Sequence, residues 1–307
     1  MENLKQRFLE MHGIDNFQRV DSTHPIPLYI GLDSAARYSL FCVTESLPTK
    51  PPVSSRIISV FVGKRKDGTY GITFSLAEQT YLDHFICFCA DMIRSSSSVK
   101  IPSKAADFLC SRYIQWQKAF AKNNNGFLSP AEIKGLIGEM CFLQSKLIPQ
   151  YGAASALASW CGPEMSDRDF ECADTWYEVK ATVSGSPTVS ISSVEQLDTD
   201  RTGHLVVIVL DKTSSTDAGA LTLNKMYHSL RNSLSSELLA QKLDTILLSF
   251  GYYENEFYDN YCFHYNGQAI YSVDKLFPCM RKKDLPIAVQ NVRYDLSLAA
   301  IQIYKED

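Results

Sequence analysis

The stretch SDRDFECADTWYEVKAT, residues 166–182, constrains this chain more than any other part of it. The strand-formers Phe170, Trp176, Tyr177 and Val179 alternate there with Asp167, Asp169, Glu171, Glu178 and Lys180. Side chains change faces at every residue of a strand. Two short strands joined by a tight turn therefore put Asp169, Glu171, Glu178 and Lys180 on one face, and Phe170, Cys172, Tyr177 and Val179 on the other. A turn across Asp174-Thr175 predicts Asp169 opposite Lys180 and Glu171 opposite Glu178. Facing carboxylates repel, so such a face calls for a compensating cation. Mg²⁺ is held by one or two carboxylates while phosphate and water complete its oxygen shell. A lysine beside it can position or help deprotonate a water. These residue types point to attack of water on a phosphodiester.

The spelling Glu-x-Lys alone says little, because Glu132 to Lys134 repeats it inside a helix. That helix has a clear start: Ser129 as N-cap, Pro130 at the first position and Glu132 three residues after the cap. Ile133, Leu136, Ile137, Met140, Leu143 and Leu147 then form one apolar stripe, with Glu139 at its margin. After residues 166–182 come PTVSISSV (187–194) and the nearly continuous apolar run GHLVVIVLD (203–211), which reads as a buried central strand. Ser190 and Ser192 face away from the core. Helices are predicted over 221–233 and 235–250, with Gly251 as the stop. The order from 129 is helix, four strands, helix, which is an α/β or α+β arrangement.

Before this core, residues 27–76 read as four strands, the last two turning at KRKDG. A capping box of Ser75 with Glu78 is expected to open an apolar helix reaching about Ile93. SSSS (95–98) reads as a linker, and KNNNG (122–126) as the break that ends the next helix. The C-terminal stretch is β-leaning: CFHYNGQAIYSV reads as a hairpin turning at Asn266-Gly267, and IAVQNVRYDLSLAAIQIY as further strands. The organisation expected is a β-rich region with two helices at 1–125, an α/β core at 126–250 and a β-rich extension at 251–307 packed on that core.

Nine cysteines, none spaced C-x-x-C, read as buried thiols of a reducing compartment rather than as a disulfide frame or zinc site. No run of about 18 apolar residues is present to span a membrane, and a soluble cytoplasmic protein is expected. The net charge of −4 gives no global field for nucleic acid. It leaves room for local basic patches at 63–68, at 280–283 and around Arg201. His84, His204 and His264 show no partner spacing.

Asp169 followed by Glu178-Val179-Lys180 on the next strand resembles the PD-(D/E)XK nuclease motif. With the GLIGEMCFL helix, RDFE…YEVKAT, VSISSVEQLD and FPCM…NVRYDL, residues 125 to 300 resemble a bacterial family of PD-(D/E)XK proteins linked to restriction and phage defence. The resemblance implies a restriction-endonuclease-like core, a mixed central sheet flanked by helices. It also implies Mg²⁺, or Mn²⁺ in its place, bound by Asp169, Glu178 and the Val179 carbonyl. Lys180 would then activate water, Glu139 would be an accessory acid, and Gln196 would stand where such families place a glutamine. The first acid is Asp169 or Asp167, since Arg168 rather than proline precedes Asp169. The implied activity is cleavage of DNA, with a homodimer and a methyltransferase or helicase of the same operon as partners and no membrane. A non-catalytic, nuclease-like subunit binding DNA or a partner is the alternative. A third is an enzyme acting on a small phosphate ester.

Overall fold

A computed structural model describes residues 2–122, 126–161 and 166–306. The chain forms two compact units, residues 1–127 and 128–307. The predicted helix break at Asn123–Asn125 lies outside the described residues.

In the first unit a helix, α1 (Glu2–Leu9), precedes strands β1 (Asn16–Arg19), β2 (Leu28–Leu32), β3 (Tyr38–Thr44), β4 (Ile58–Lys64) and β5 (Tyr70–Leu76). They form an antiparallel sheet in the order β1-β2-β3-β5-β4. Gly68, with φ +88°, makes the β4–β5 turn in the left-handed region that glycine tolerates best. Two helices follow, α2 (Leu82–Ser96) and α3 (Ala105–Lys122). Two local expectations fail here. Ser75 caps no helix, because β5 continues through it and its buried hydroxyl bonds Ser39 at 2.8 Å. Ser95 and Ser96 are not linker but the last turn of α2, where the Ser96 hydroxyl donates to the Met92 carbonyl. Ser, weak inside a helix, is tolerated where its hydroxyl bonds back to the preceding turn.

The second unit starts with α4 (Pro130–Phe142). The capping box of Ser129 and Glu132 closes as its sequence dictates. The helix runs on through a π-helical turn at Leu143–Leu147 into α5 (Ile148–Tyr151) and then α6 (Ala153–Ser159). The whole predicted apolar stripe of α4 is buried. Next come β6 (Phe170–Glu171), β7 (Trp176–Thr182), β8 (Thr188–Ile191), β9 (Gly203–Lys212), α7 (Leu223–Ser233), α8 (Glu237–Phe250), β10 (Phe263–Val273) and β11 (Tyr294–Ser297). Gly251 ends α8 at φ +93°.

The central sheet has the order β10-β9-β7-β6, with β7 parallel to β9 and the outer pairs antiparallel. The protein is therefore a mixed α/β structure with sheets flanked by helices, the fold expected of a PD-(D/E)XK core. β8 is a strand but pairs with β11 in a separate ribbon. Its Val189 and Ile191 pack with Trp176, Leu205 and Val207 over one face of the sheet. The helix α4 covers the opposite face. A Cβ on Gly138 would stand 3.3 Å from the Ala181 Cβ, so the helix backbone and β7 lie close.

Of the residues after 250, β10 belongs to the central sheet, since it pairs with β9 along its length. Asn266-Gly267 makes no hairpin. Pairing shifts from Tyr265↔Leu210 to Gln268↔Ile208, so those two residues oppose Val209 alone as a bulge, Gly267 at φ +115°. The ten-residue β9 offers a partner on both sides of the Asn-Gly, and continuous pairing wins over the local turn preference. Of the strands expected after residue 287, only β11 forms. All nine cysteines are free, seven of them buried. Among the described residues no helix is long and apolar enough to cross a membrane.

Candidate active site

The hairpin at 170–177 turns one step earlier than the sequence predicts. Cys172 N–H donates to the Thr175 carbonyl, which leaves Ala173 and Asp174 as the turn, and Phe170 pairs with Tyr177 and Glu171 with Trp176. The register differs by two residues from the expected one. An even shift preserves faces, so Asp169, Glu171, Glu178 and Lys180 still share a side. Continued by one position, the observed register sets Asp169 rather than Glu171 beside Glu178. Glu171 leaves the cluster altogether, because its carboxylate is bonded by Arg168 at 3.1 Å and by Arg201.

Asp169 immediately precedes the two-residue edge strand β6, and its Oδ2 accepts the Val179 N–H at 2.7 Å. Asp167 is exposed, so the structure brings Asp169 and not Asp167 to Glu178. Glu178 is 1% exposed. Its Oε1 meets Lys180 Nζ at 2.6 Å, and its buried Oε2 makes no hydrogen bond. Lys180 Nζ also donates to Gln196 Oε1 at 3.0 Å, and the same oxygen accepts the Ser192 N–H at 2.9 Å. Gln196 thus holds the lysine and closes its own loop. From α4, Glu139 Oε2 accepts the Trp160 indole N–H at 2.7 Å, and Trp160 stacks on Phe170.

The three acids share one imbalance. Burial, then the Asp169 charge, push the Glu178 carboxyl up to about 8 against the opposing pull of Lys180. Burial also raises Asp169 to about 6, although Lys180 and the Val179 N–H pull it down. Glu139 lies well above the usual carboxylate range through burial and then through Asp169, with the Trp160 N–H opposing. One lysine is too little cation for three carboxyl groups. Among the described residues no three His, Cys, Asp or Glu side chains are set to hold a metal by themselves. What the site offers is a pair, Asp169 and Glu178, with one unsatisfied oxygen. That donor set suits a hard cation completing its shell with water and phosphate.

Two residues of the site are not legible as functional in the sequence. Arg168 lies against Trp176 at 4.6 Å and donates to the carbonyls of Glu195, Gln196 and Asp198, fixing the loop that carries Gln196. Trp160 orients Glu139. Both act over long sequence separations that no local pattern announces. The other sequence candidates fall elsewhere: Ser190 bonds Asp295, His264 bonds Asp217, and His204 lies against Glu306.

A family model described as "Putative PD-(D/E)XK family member, (DUF4420)" matches residues 6–299. The chain belongs to this PD-(D/E)XK family. The match takes in both compact units, and members of the superfamily are generally nucleases that use divalent metals. No curated protein and no solved structure matches the chain.

Proposed function

We propose that this PD-(D/E)XK protein is a metal-dependent endonuclease that hydrolyses DNA phosphodiester bonds in restriction or phage defence. The observation that supports this most is Glu178, a carboxylate buried beside a second acid with one oxygen on Lys180 and the other without a donor. Burying a charge in that state costs several kcal/mol unless an ion compensates, roughly the scale of an unpaired buried charge. Mg²⁺ or Mn²⁺ held by Asp169, Glu178 and the Val179 carbonyl would supply a water of lowered pKa and stabilise charge building on phosphate oxygens.

The chain's own residues do the rest. Asp169 and Glu178 fix the position of the reacting centre, and the Val179 N–H holds Asp169 in place. Lys180, donor-only when charged, is aimed by Gln196 and orients water against the scissile phosphate. Glu139, kept protonated by its surroundings and steadied by Trp160, is an accessory acid. Cutting both strands of a duplex would require two such centres, which fits a homodimer. A methyltransferase or helicase partner and a cytoplasmic setting belong to the same reading.

Methylated and unmethylated plasmid, each incubated with Mg²⁺ or Mn²⁺, tests it. Wild type is expected to nick or cut at least one of them, and Glu178→Ala and Lys180→Ala to cut neither, with Glu178→Ala melting as wild type does. Intact DNA in every wild-type reaction overturns the proposal. One observation favours the non-catalytic alternative: the Lys180–Glu178 pair at 2.6 Å partly neutralises the acid without a metal. Calorimetric titration with Mn²⁺ separates the two, since a subunit that only binds DNA or a partner loses no metal site on Glu178→Ala.

A further inference from the structure

Between β10 and β11 the chain runs through residues 274–293 with no strand pairing and a single short 3₁₀ turn at Lys282–Asp284. Its composition is unlike the rest. Five cations (Lys275, Arg281, Lys282, Lys283, Arg293) face two acids (Asp274, Asp284), a net of +3 in a chain whose total is −4. Lys275, Lys283 and Arg293 form no ion pair among the described residues. The same segment exposes large apolar side chains: Leu276 at 79%, Met280 at 41%, Ile287 at 103% and Val289 at 43%. Isolated exposed apolar residues are ordinary, but four of them interleaved with unpaired cations are not.

The base of the segment is fastened beside the candidate active site. Phe277 is buried in the core cluster that includes Trp176 and Leu197. Arg281 meets Asp198 at 3.4 Å and donates to the Asp274 carbonyl, and the Lys282 N–H donates to Asp198 at 2.8 Å. Asp198 lies two residues after Gln196, the residue that holds Lys180. The anchored part is therefore tied to the loop that carries Gln196, while Lys275, Lys283 and Arg293 form no ion pair among the described residues and the apolar tips stay exposed.

We infer that residues 275–293 form a duplex-DNA contact element, with Lys275, Lys283 and Arg293 on backbone phosphates and Ile287 and Val289 pressed against the sugar and base edges of a groove. Cations that carry no acid of their own can exchange condensed counterions for phosphate, which makes the contact salt-dependent. Apolar side chains beside them can bear on sugars or wedge at a base step. This inference rests on the nuclease reading above, but it concerns binding and is tested apart from cleavage.

The test is fluorescence anisotropy of a labelled 25-base-pair duplex without divalent metal, titrated with the full chain at several salt concentrations. The triple variant K275E/K283E/R293E is expected to bind on the order of 100-fold more weakly at about 0.1 M salt, and its log K against log salt slope to fall by about 2 to 3. Ile287→Ala is expected to weaken binding about fivefold with the slope unchanged. Both variants should keep the wild-type Mn²⁺ titration, which reads Asp169 and Glu178 and detects misfolding. If wild type binds and cuts DNA but the triple variant binds with wild-type affinity and slope, the element is overturned and the nuclease reading stands. Wild type that neither binds nor cuts DNA overturns both. Sedimentation showing a dimer abolished by Ile287→Ala, with DNA affinity unchanged, assigns the apolar tip to a second copy and also overturns the proposal.

Discussion

Asp91 in the first unit and Glu178 in the second are each buried against a cation, and the two pairs behave oppositely. Asp91, on α2, accepts from Arg112 Nε at 2.7 Å, from Arg112 NH2 at 2.8 Å and from the Trp116 indole N–H at 2.7 Å. Burial alone would raise its carboxyl, yet Arg112 and Trp116 hold it below the ordinary value. Glu178, equally deep, has a single lysine, an acidic neighbour and an empty oxygen, and its carboxyl is driven up to about 8. The first site is fully satisfied and can serve only to hold α2 and α3 in register. The second is left short of positive charge, which is the condition in which an added cation changes its energy most. An acid's partners, more than its burial, separate a structural pair from a functional one.

The largest effect should come from removing the unsatisfied site. Glu178→Ala is expected to lower DNA cleavage by on the order of 10³-fold, measured on plasmid with Mg²⁺, with the melting temperature unchanged or raised, whereas Lys180→Ala, which strips Glu178 of its cation, is expected to lose cleavage equally and to melt lower. A substitution there that unfolded the protein would erase the contrast. Next, Asp91→Ala is expected to cost roughly 3–5 kcal/mol, because the buried Arg112 loses its carboxylate. Calorimetry should show the transition of the first unit falling by ten degrees or more, by about the scaling for a unit of this size.

The pH dependences should run in opposite directions. Asp169 and Glu178 have raised carboxyls in the folded chain. Their contribution to stability is present below the ordinary carboxylate range and is lost as pH climbs through about 6 and about 8. The metal-free second unit should therefore melt lower at pH 9 than at pH 5, and Glu178→Gln should flatten that fall. Asp91 is depressed, so its contribution is present at neutral pH and lost as acid is added below its unfolded value. Asp91→Asn should remove part of the acid limb only. The smallest effect should be that of Gln196→Ala. It is expected to slow cleavage about tenfold, worth about one hydrogen bond to a charged group, while the Mn²⁺ titration stays as wild type.

How much of this was legible in the sequence depended on the range of the interaction. The α4 cap was, because Ser129, Pro130 and Glu132 satisfy each other within four residues. The common face of Asp169, Glu178 and Lys180 was too, because alternation survives any even error in register. The pairing of individual residues was not: which dipeptide turns was decided by Cys172 meeting Thr175. The same limit explains Ser75, which has a capping spelling but sits in a strand bonded to Ser39, and Asn266-Gly267, a hairpin signal overruled by the length of β9.

The sequence by itself determined which side chains could share a face, where α4 begins and that one short stretch concentrates acids around a lysine, since these follow from backbone periodicity and local hydrogen bonds. Tertiary structure alone decided that Glu171 is neutralised by Arg168 and Arg201, that Gln196 and not a second acid grips Lys180, and that Trp160 steadies Glu139. Those partners lie 3 to 30 residues apart in the chain. Their meeting is set by how the strands and loops pack, and the charge balance of a buried site is fixed only once every neighbour has arrived.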